Sequence, residues 1–467
     1  MKWLAIAVCV SVIWWLWRRD IQVRPKFSPA FWLSLFYVLT AGARPLSWWL
    51  GLGGATNLEG NWFDRVVYGA IILAAISILS GREVSWGDFF RENKAVMAFY
   101  LFLLVTLLWA PFPFVGLRRL SRDFGAIFII LVILTEADPI EASKAIFARC
   151  AYIWFPLSEV ANKYFPGIGR TYGKGGGVEY GGICGQKNTL GEVILVASLF
   201  LITELVQANR ALPGRPLRRG RFARYFTGHH LTLLITLAMG LFLIARSQSR
   251  TAQICLFVGG MILLSHKLPV LKNSPRRVII LCLVAVPLFA LGELVFDLSD
   301  HFLALIGRNP TLTDRTAIWE AVMKKPVNPV IGTGYMMFWD YYGGVDLERQ
   351  TTEAIKSAHN GYLETYLDGG ILALIFLAVM LLAVGRRAIR EFLTGSVYGR
   401  LAFAVFVVML LYNISESTYA RRSVLWFAFL LFGLEFRGCL PFTRPVEIET
   451  PEVPWDAERQ PVGTVDG

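Results

Sequence analysis

The sequence predicts an all-α fold, a polytopic bundle of about 12 to 13 transmembrane helices with one long extracytoplasmic loop that contains short helices. Three observations predict it. Hydrophobic residues make up 55% of the 467 positions and aromatics 14%, while charged residues reach only 17%, against roughly 25% in ordinary globular chains. The mean hydropathy of +0.51 agrees. Apolar stretches of membrane-crossing length also recur along the chain, separated by short connections rich in Lys and Arg. A soluble protein this apolar would expose surface it could not cover, which excludes a soluble enzyme, a disordered chain and a nucleic-acid binder.

Thirteen stretches carry the pattern, centred on residues 3–17, 28–41, 62–79, 95–109, 123–135, 144–164, 189–206, 231–245, 252–265, 278–298, 370–385, 400–415 and 423–436. In the first, Trp14, Trp15 and Trp17 run into Arg18 and Arg19 with no small-residue cleavage site, so it reads as a span and not a signal peptide. Orientation follows from basic residues in short connections. Arg18, Arg19, Arg24 and Lys26 fill one. Arg210, Arg215, Arg218, Arg219, Arg221 and Arg224 fill another. Lys267, Lys272, Arg276 and Arg277 occupy a third, and Arg386, Arg387, Arg390 and Arg400 a fourth. All four fall on one side if every stretch crosses, which places them in the cytoplasm and the N-terminus outside. The excess of 46 basic over 34 acidic residues is therefore mostly a topology signal. One connection disagrees: parity puts Arg118, Arg119 and Arg122 outside. Either a segment is miscounted or those arginines meet an anion there.

Residues 1–436 form the bundle on this reading, including an external loop over 299–369. The Pro- and Glu-rich residues 437–467 read as a disordered cytoplasmic tail. Cysteines show no CxxC or Cys/His spacing, so neither a disulfide framework nor a zinc site is expected.

The external loop carries the candidate chemistry. Thr313 can cap a helix that Pro326 stops, and Ile318, Trp319, Val322 and Met323 form an apolar stripe along it. Arg315 sits in its first turn, where free backbone N–H groups favour an anion. Then come Gly332-Thr333-Gly334-Tyr335, a turn, and Ser357-Ala358-His359-Asn360-Gly361-Tyr362-Leu363-Glu364. Arg250 lies in the tight turn Arg246-Ser247-Gln248-Ser249-Arg250-Thr251 between two apolar helices. The glycines 175–177 and Gly181-Gly182-Ile183-Cys184-Gly185-Gln186-Lys187-Asn188 precede the seventh span and can cradle an anion. Each feature has a plainer reading. Arg250 can snorkel to headgroups, Arg315 can pair with Asp314 or Glu320, Trp319 is an interfacial anchor or a sugar platform, and an isolated His359 can be structural. Glu192, inside the seventh span, is a buried partner for a cation or a functional carboxylate.

Two arginines, Lys187 and His359 on one membrane face suit glycosyl transfer from a lipid diphosphate. Arginine binds phosphate oxygens bidentately, and histidine supplies a base near neutrality for an acceptor hydroxyl. No D-x-D pair offers a metal site, so neither metal nor cofactor is expected. Direct displacement by the hydroxyl would invert the anomeric centre.

The chain at this point resembles the bacterial O-antigen ligase and polymerase family of integral membrane glycosyltransferases. The resemblance rests on Gly185-Gln186-Lys187-Asn188-Thr189-Leu190-Gly191, Ser247-Gln248-Ser249-Arg250-Thr251, Arg315-Thr316-Ala317-Ile318-Trp319 with Gly332-Thr333-Gly334, and His359-Asn360-Gly361-Tyr362-Leu363-Glu364. It implies that Arg250 and Arg315 bind the diphosphate of an undecaprenyl-linked glycan and that His359 activates the acceptor hydroxyl. It also implies that Lys187, Asn188, Asn360 and Trp319 contact substrate. The expected partners are that donor, a lipid A-core or growing glycan acceptor, and membrane lipids, with no nucleic acid. The expected place is the bacterial inner membrane with the site facing the periplasm. Gln186 stands where many members have histidine, and thirteen segments exceed the twelve usual among ligases. Ligase and polymerase differ in acceptor, which the sequence does not name. A transporter or flippase would instead place charges at mid-membrane, whereas the notable charges here lie mostly at helix ends on one face.

Overall fold

The structure, a computed structural model, describes residues 1–52, 60–172, 177–208, 228–268, 271, 274–296, 313–342 and 357–436. Within residues 290, 293–296 and 313–317 it describes the backbone and not the side chains. The expected tail at 437–467 lies outside the described residues, as do residues 297–312 and 343–356 of the long loop.

Each of the thirteen apolar stretches falls on a helix, from Lys2–Val23 to Val424–Gly433, and most agree to within about a turn; Pro113–Leu134 starts ten residues before its stretch, and Gly361–Leu393 overruns its stretch at both ends. Among the described residues, five are long and apolar enough to cross a membrane by length and composition: Trp62–Ser80, Lys187–Gln207, His229–Ser247, Gly361–Leu393 and Val397–Ser415. The chain is a polytopic all-α bundle. In apolar surroundings the first-turn amides of a helix need partners, and local side chains supply them. Asp138 accepts from Glu141 N, Ser396 from Gly399 N and Ser423 from Trp426 N.

Polar contacts between connections sort by parity, as alternating crossings require. At one end Arg24 meets Asp20, Glu141 and Glu204, and Arg149 also meets Asp20. Arg82 pairs with Glu136, and the Tyr398 hydroxyl donates to Gln207. At the other end Trp109 Nε1 donates to the Ile331 carbonyl at 3.0 Å. Arg119 there meets Asp340 and the Met336 carbonyl, and Arg246 meets Glu159 at 2.9 Å. The connection whose arginines conflicted with parity therefore belongs to the second end. Two of those arginines meet anions of the protein itself: Asp340 for Arg119, and Asp123 for Arg122 at 2.9 Å.

Two features were not expected. Residues Arg170–Tyr172 and Val178–Tyr180 form an antiparallel hairpin. The eleventh helix begins at Gly361, nine residues before the predicted span, and breaks at Gly369 and Gly370. Gly370 has φ +64°, and a Cβ there would lie 2.2 Å from the Val330 carbonyl carbon. That crowding reflects a strap, residues 329–334, laid across the break. Thr333 N and Gly334 N donate to the Leu367 and Asp368 carbonyls, while Ile371 N and Leu372 N donate to Pro329 and Val330. The strap thus satisfies the backbone groups that the break would orphan.

The predicted short helix is present as Thr313–Met323. Its packing differs at one position. Val322 and Ala321 are buried with Phe338 and Leu367, while Met323 is 59% exposed and leaves the predicted stripe.

Candidate functional site

The strap and the broken helix together fix the segment that carries His359. Glu364, one turn into the helix and almost fully buried, accepts from Ala358 N at 2.7 Å and from Ser357 Oγ at 3.2 Å. Trp339 Nε1 donates to both its oxygens, at 3.1 and 3.0 Å, and Arg421 Nη2 donates to Oε2 at 2.8 Å. Arg421 also reaches Asp368 at 3.4 Å, and Asp368 accepts from Met336 N at 2.9 Å. From above, Trp319 Nε1 donates to the Ala358 carbonyl at 2.7 Å. His359 follows with φ +48°. This left-handed backbone is uncommon for a residue other than glycine, and histidine tolerates it better than most. Gln248, Met336 and Ala420 share a positive φ, and all four lie in connections at this end of the bundle. Conformations of this kind persist where surrounding structure over-determines them, and they cluster at functional sites.

The His359 ring meets a carboxylate that the sequence reading missed. Nδ1 lies 3.2 Å from Glu416 Oε2, and the other oxygen, Oε1, accepts from Asn188 Nδ2 at 2.7 Å. The His359 side chain is 40% exposed and that of Glu416 only 9%. With Nδ1–H directed at the carboxylate, Nε2 keeps its lone pair on the other edge of the ring. Next to Glu416, Ser415 Oγ lies 2.6 Å from Thr251 Oγ1, which ties in the turn that carries Arg250. Arg250 itself is half-buried and opens the helix Arg250–Leu264. The helix that starts at Lys187 closes on the same turn, since a Cβ on Gly191 would lie 2.6 Å from the Ser249 Cβ.

Three of the four motifs singled out in the sequence therefore meet around Glu416, through Asn188, Thr251 and His359. The fourth, the helix that carries Arg315, docks on the same segment through Trp319. The side chain of Arg315 lies outside the described residues. Lys187 pairs with Glu179 of the hairpin at 2.6 Å. The Asn360 carbonyl oxygen is committed to the cap of its own helix, accepting from Tyr362 N and Leu363 N at 3.0 Å. The indole N–H of Trp319 is likewise committed, to the Ala358 carbonyl. Glu192 accepts from Ser423 Oγ at 2.8 Å and Leu425 N at 2.9 Å, capping the last helix from a neighbouring one. Of the anion cradle, residues 173–176 lie outside the described residues. Gly185, with φ +87°, turns the chain into the helix at Lys187.

Arg421 and Arg422 were also missed. They sit in the short connection before the last helix, which resembles any basic membrane flank. Burial alone would lower the pKa of Arg421, but Glu364 and Asp368 more than offset it and hold the guanidinium above its ordinary range.

With this geometry established, comparison with known proteins adds one finding. Residues 234–378 match the model of a family described as O-antigen ligase. That stretch, about a third of the chain, contains Arg250, Arg315 and His359, and over it the chain is similar to the O-antigen ligase family. Members of the family are glycosyltransferase-like enzymes of lipopolysaccharide biosynthesis that act on lipid-linked glycans and acceptors, and the apolar helices agree with a multi-pass membrane protein. No curated protein matches the chain.

Proposed function

We propose that the protein is an O-antigen ligase that moves a glycan from undecaprenyl diphosphate to a hydroxyl of lipid A-core, on the periplasmic face of the inner membrane. The observation that carries this reading is the His359–Glu416–Asn188 chain beside the Arg250 turn, within reach of the family's matched segment. His359 Nε2 takes the proton of the acceptor hydroxyl. The oxygen attacks the anomeric carbon, and the bond from that carbon to the phosphate oxygen breaks on the opposite face, which inverts the centre. Glu416 stabilises the imidazolium that forms. Arg250 and Arg315 take up the charge on the leaving diphosphate, the electrostatic work a metal performs elsewhere.

The test is a gel and mass analysis of lipid-linked and surface glycans in a strain lacking the gene, complemented with wild type or with His359→Ala. Long polymer stranded on undecaprenyl diphosphate, with bare core at the surface, is the expected result, and His359→Ala should not restore transfer. Single repeat units stranded on the lipid with no polymer would replace the ligase by a polymerase of O-antigen or exopolysaccharide repeats. An unchanged glycan profile would refute both.

A further inference from the structure

Cations at this end of the bundle are commonly matched by protein carboxylates. Lys187 has Glu179, Arg246 has Glu159, Arg119 has Asp340, Arg122 has Asp123, and Arg421 has Glu364 and Asp368. Arg44 is built differently. It follows the helix Ala30–Ala41, and its backbone N donates to the Ile183 carbonyl at 3.0 Å. Nη2 donates to the Ile168 carbonyl at 2.9 Å, and the guanidinium carbon lies 4.2 Å from the centre of the Trp48 ring. No described carboxylate pairs with it, and its Nε is shielded from solvent with no hydrogen-bond partner among the described residues. Bare backbone also lies close: a Cβ on Gly185 would sit 2.9 Å from Arg44 Nε and 3.1 Å from Cζ.

This arrangement holds a guanidinium in a fixed plane while leaving much of its donor capacity unspent. Stacking on Trp48 sets the orientation without using an N–H, and the lack of a Cβ on Gly185 leaves room for it. Arginine does not lose its proton in proteins, so an acceptor or an anion at the remaining N–H groups would offset the cost of the one that is shielded and unbonded. The location matters as well. Gly185 is three residues from Asn188, which limits their Cα separation to about 11 Å, and Asn188 bonds the carboxylate that holds His359.

We infer that Arg44 binds a phosphoryl oxyanion of the substrate, adding a third guanidinium to the two assigned above to the diphosphate. This inference rests on the glycosyl-transfer reading. The oxyanion belongs either to the donor's diphosphate or to a phosphoryl group on the acceptor.

The experiment uses the full-length protein in lipid nanodiscs, as wild type, Arg44→Gln and Arg44→Lys. Donor and acceptor are titrated separately, and binding of undecaprenyl diphosphate alone is followed by tryptophan fluorescence. Loss of a charge-assisted hydrogen bond predicts a KM about ten- to a hundredfold higher for the substrate that carries the oxyanion. In Arg44→Gln, kcat and the thermal midpoint should stay near wild type. Arg44→Lys should recover only part of the loss, because a point charge does not replace the fork. A raised donor KM with equally weakened undecaprenyl diphosphate binding assigns the oxyanion to the donor. A raised acceptor KM with unchanged binding assigns it to the acceptor. Unchanged KM values for both, or a fall in kcat with a lowered thermal midpoint, would make Arg44 a structural tie between loops and overturn the inference. Should the wild-type protein transfer no glycan, the functional reading fails separately, and weakened lipid binding in Arg44→Gln would still decide the role of Arg44.

Discussion

Replacing Glu416 by Gln isolates the part of the site that sequence reading missed. In the native arrangement one carboxylate oxygen accepts from Asn188 and the other faces His359 Nδ1 at 3.2 Å. An amide can satisfy only one of these. If its oxygen stays on Asn188, its NH2 group faces Nδ1 and forces the ring into the tautomer with the proton on Nε2, which cannot accept a proton. If it flips, Asn188 is left facing a second donor. A hydrogen bond to a charged group contributes roughly 1.5–3 kcal/mol. Because the His359 side chain is 40% exposed, the low end of that range applies, about 1.5–2 kcal/mol, which corresponds to a fall of about 10- to 30-fold in kcat. Single-turnover transfer of a labelled glycan by purified protein measures it. The decisive comparison is the same substitution in a His359→Gln background. A residue that acts through His359 should cost less than about twofold there. A full 10- to 30-fold loss in both backgrounds would show that Glu416 acts independently of the histidine and would refute the assignment.

Two further outcomes test the frame around that pair. Arg315→Lys should lower transfer about tenfold or more, because lysine does not reproduce a bidentate fork on phosphate; turnover assays at saturating donor check this, and wild-type rates would mean that charge alone suffices there or that Arg315 is only structural. Gly370→Ala should destabilise the protein by about 1–3 kcal/mol from its φ of +64° alone, before the clash with Val330 is counted. A thermal midpoint in detergent equal to wild type would show that the strap does not depend on that glycine.

The bundle was legible because its signal is local. An apolar run of sufficient length with basic flanks reads the same whatever it packs against, and the thirteen stretches emerged from composition alone. The break at Gly369 and Gly370 was not legible. Glycine is tolerated inside membrane helices, and the strap that makes this pair a break lies some forty residues earlier in the chain. The site divided along the same line. His359, Arg250 and the Lys187 helix stood out through short polar motifs in apolar context. Glu416 did not, because its partners lie 228 and 57 residues away, and Asn413-Ile414-Ser415-Glu416-Ser417 reads as an ordinary polar helix end.

Cations near helix ends were the feature most open to misreading. From sequence, Arg118, Arg119 and Arg122 called for either an anion or a recount of spans. In the structure Arg119 clamps Asp340 and the Met336 carbonyl, so it fastens the strap to the bundle. Arg122 holds Asp123, whose other contact is the Tyr335 hydroxyl at 2.9 Å. Arg421 does the same work for His359 through Glu364, which passes its hold to Ala358 N. Removing Arg421 would leave the buried Glu364 carboxylate uncompensated, so these arginines report on folding before they report on chemistry. Charge alone therefore does not mark a substrate contact in this protein. The useful discriminator is whether the protein itself supplies the counter-charge, and by that criterion Arg44 stands apart from the paired arginines around it.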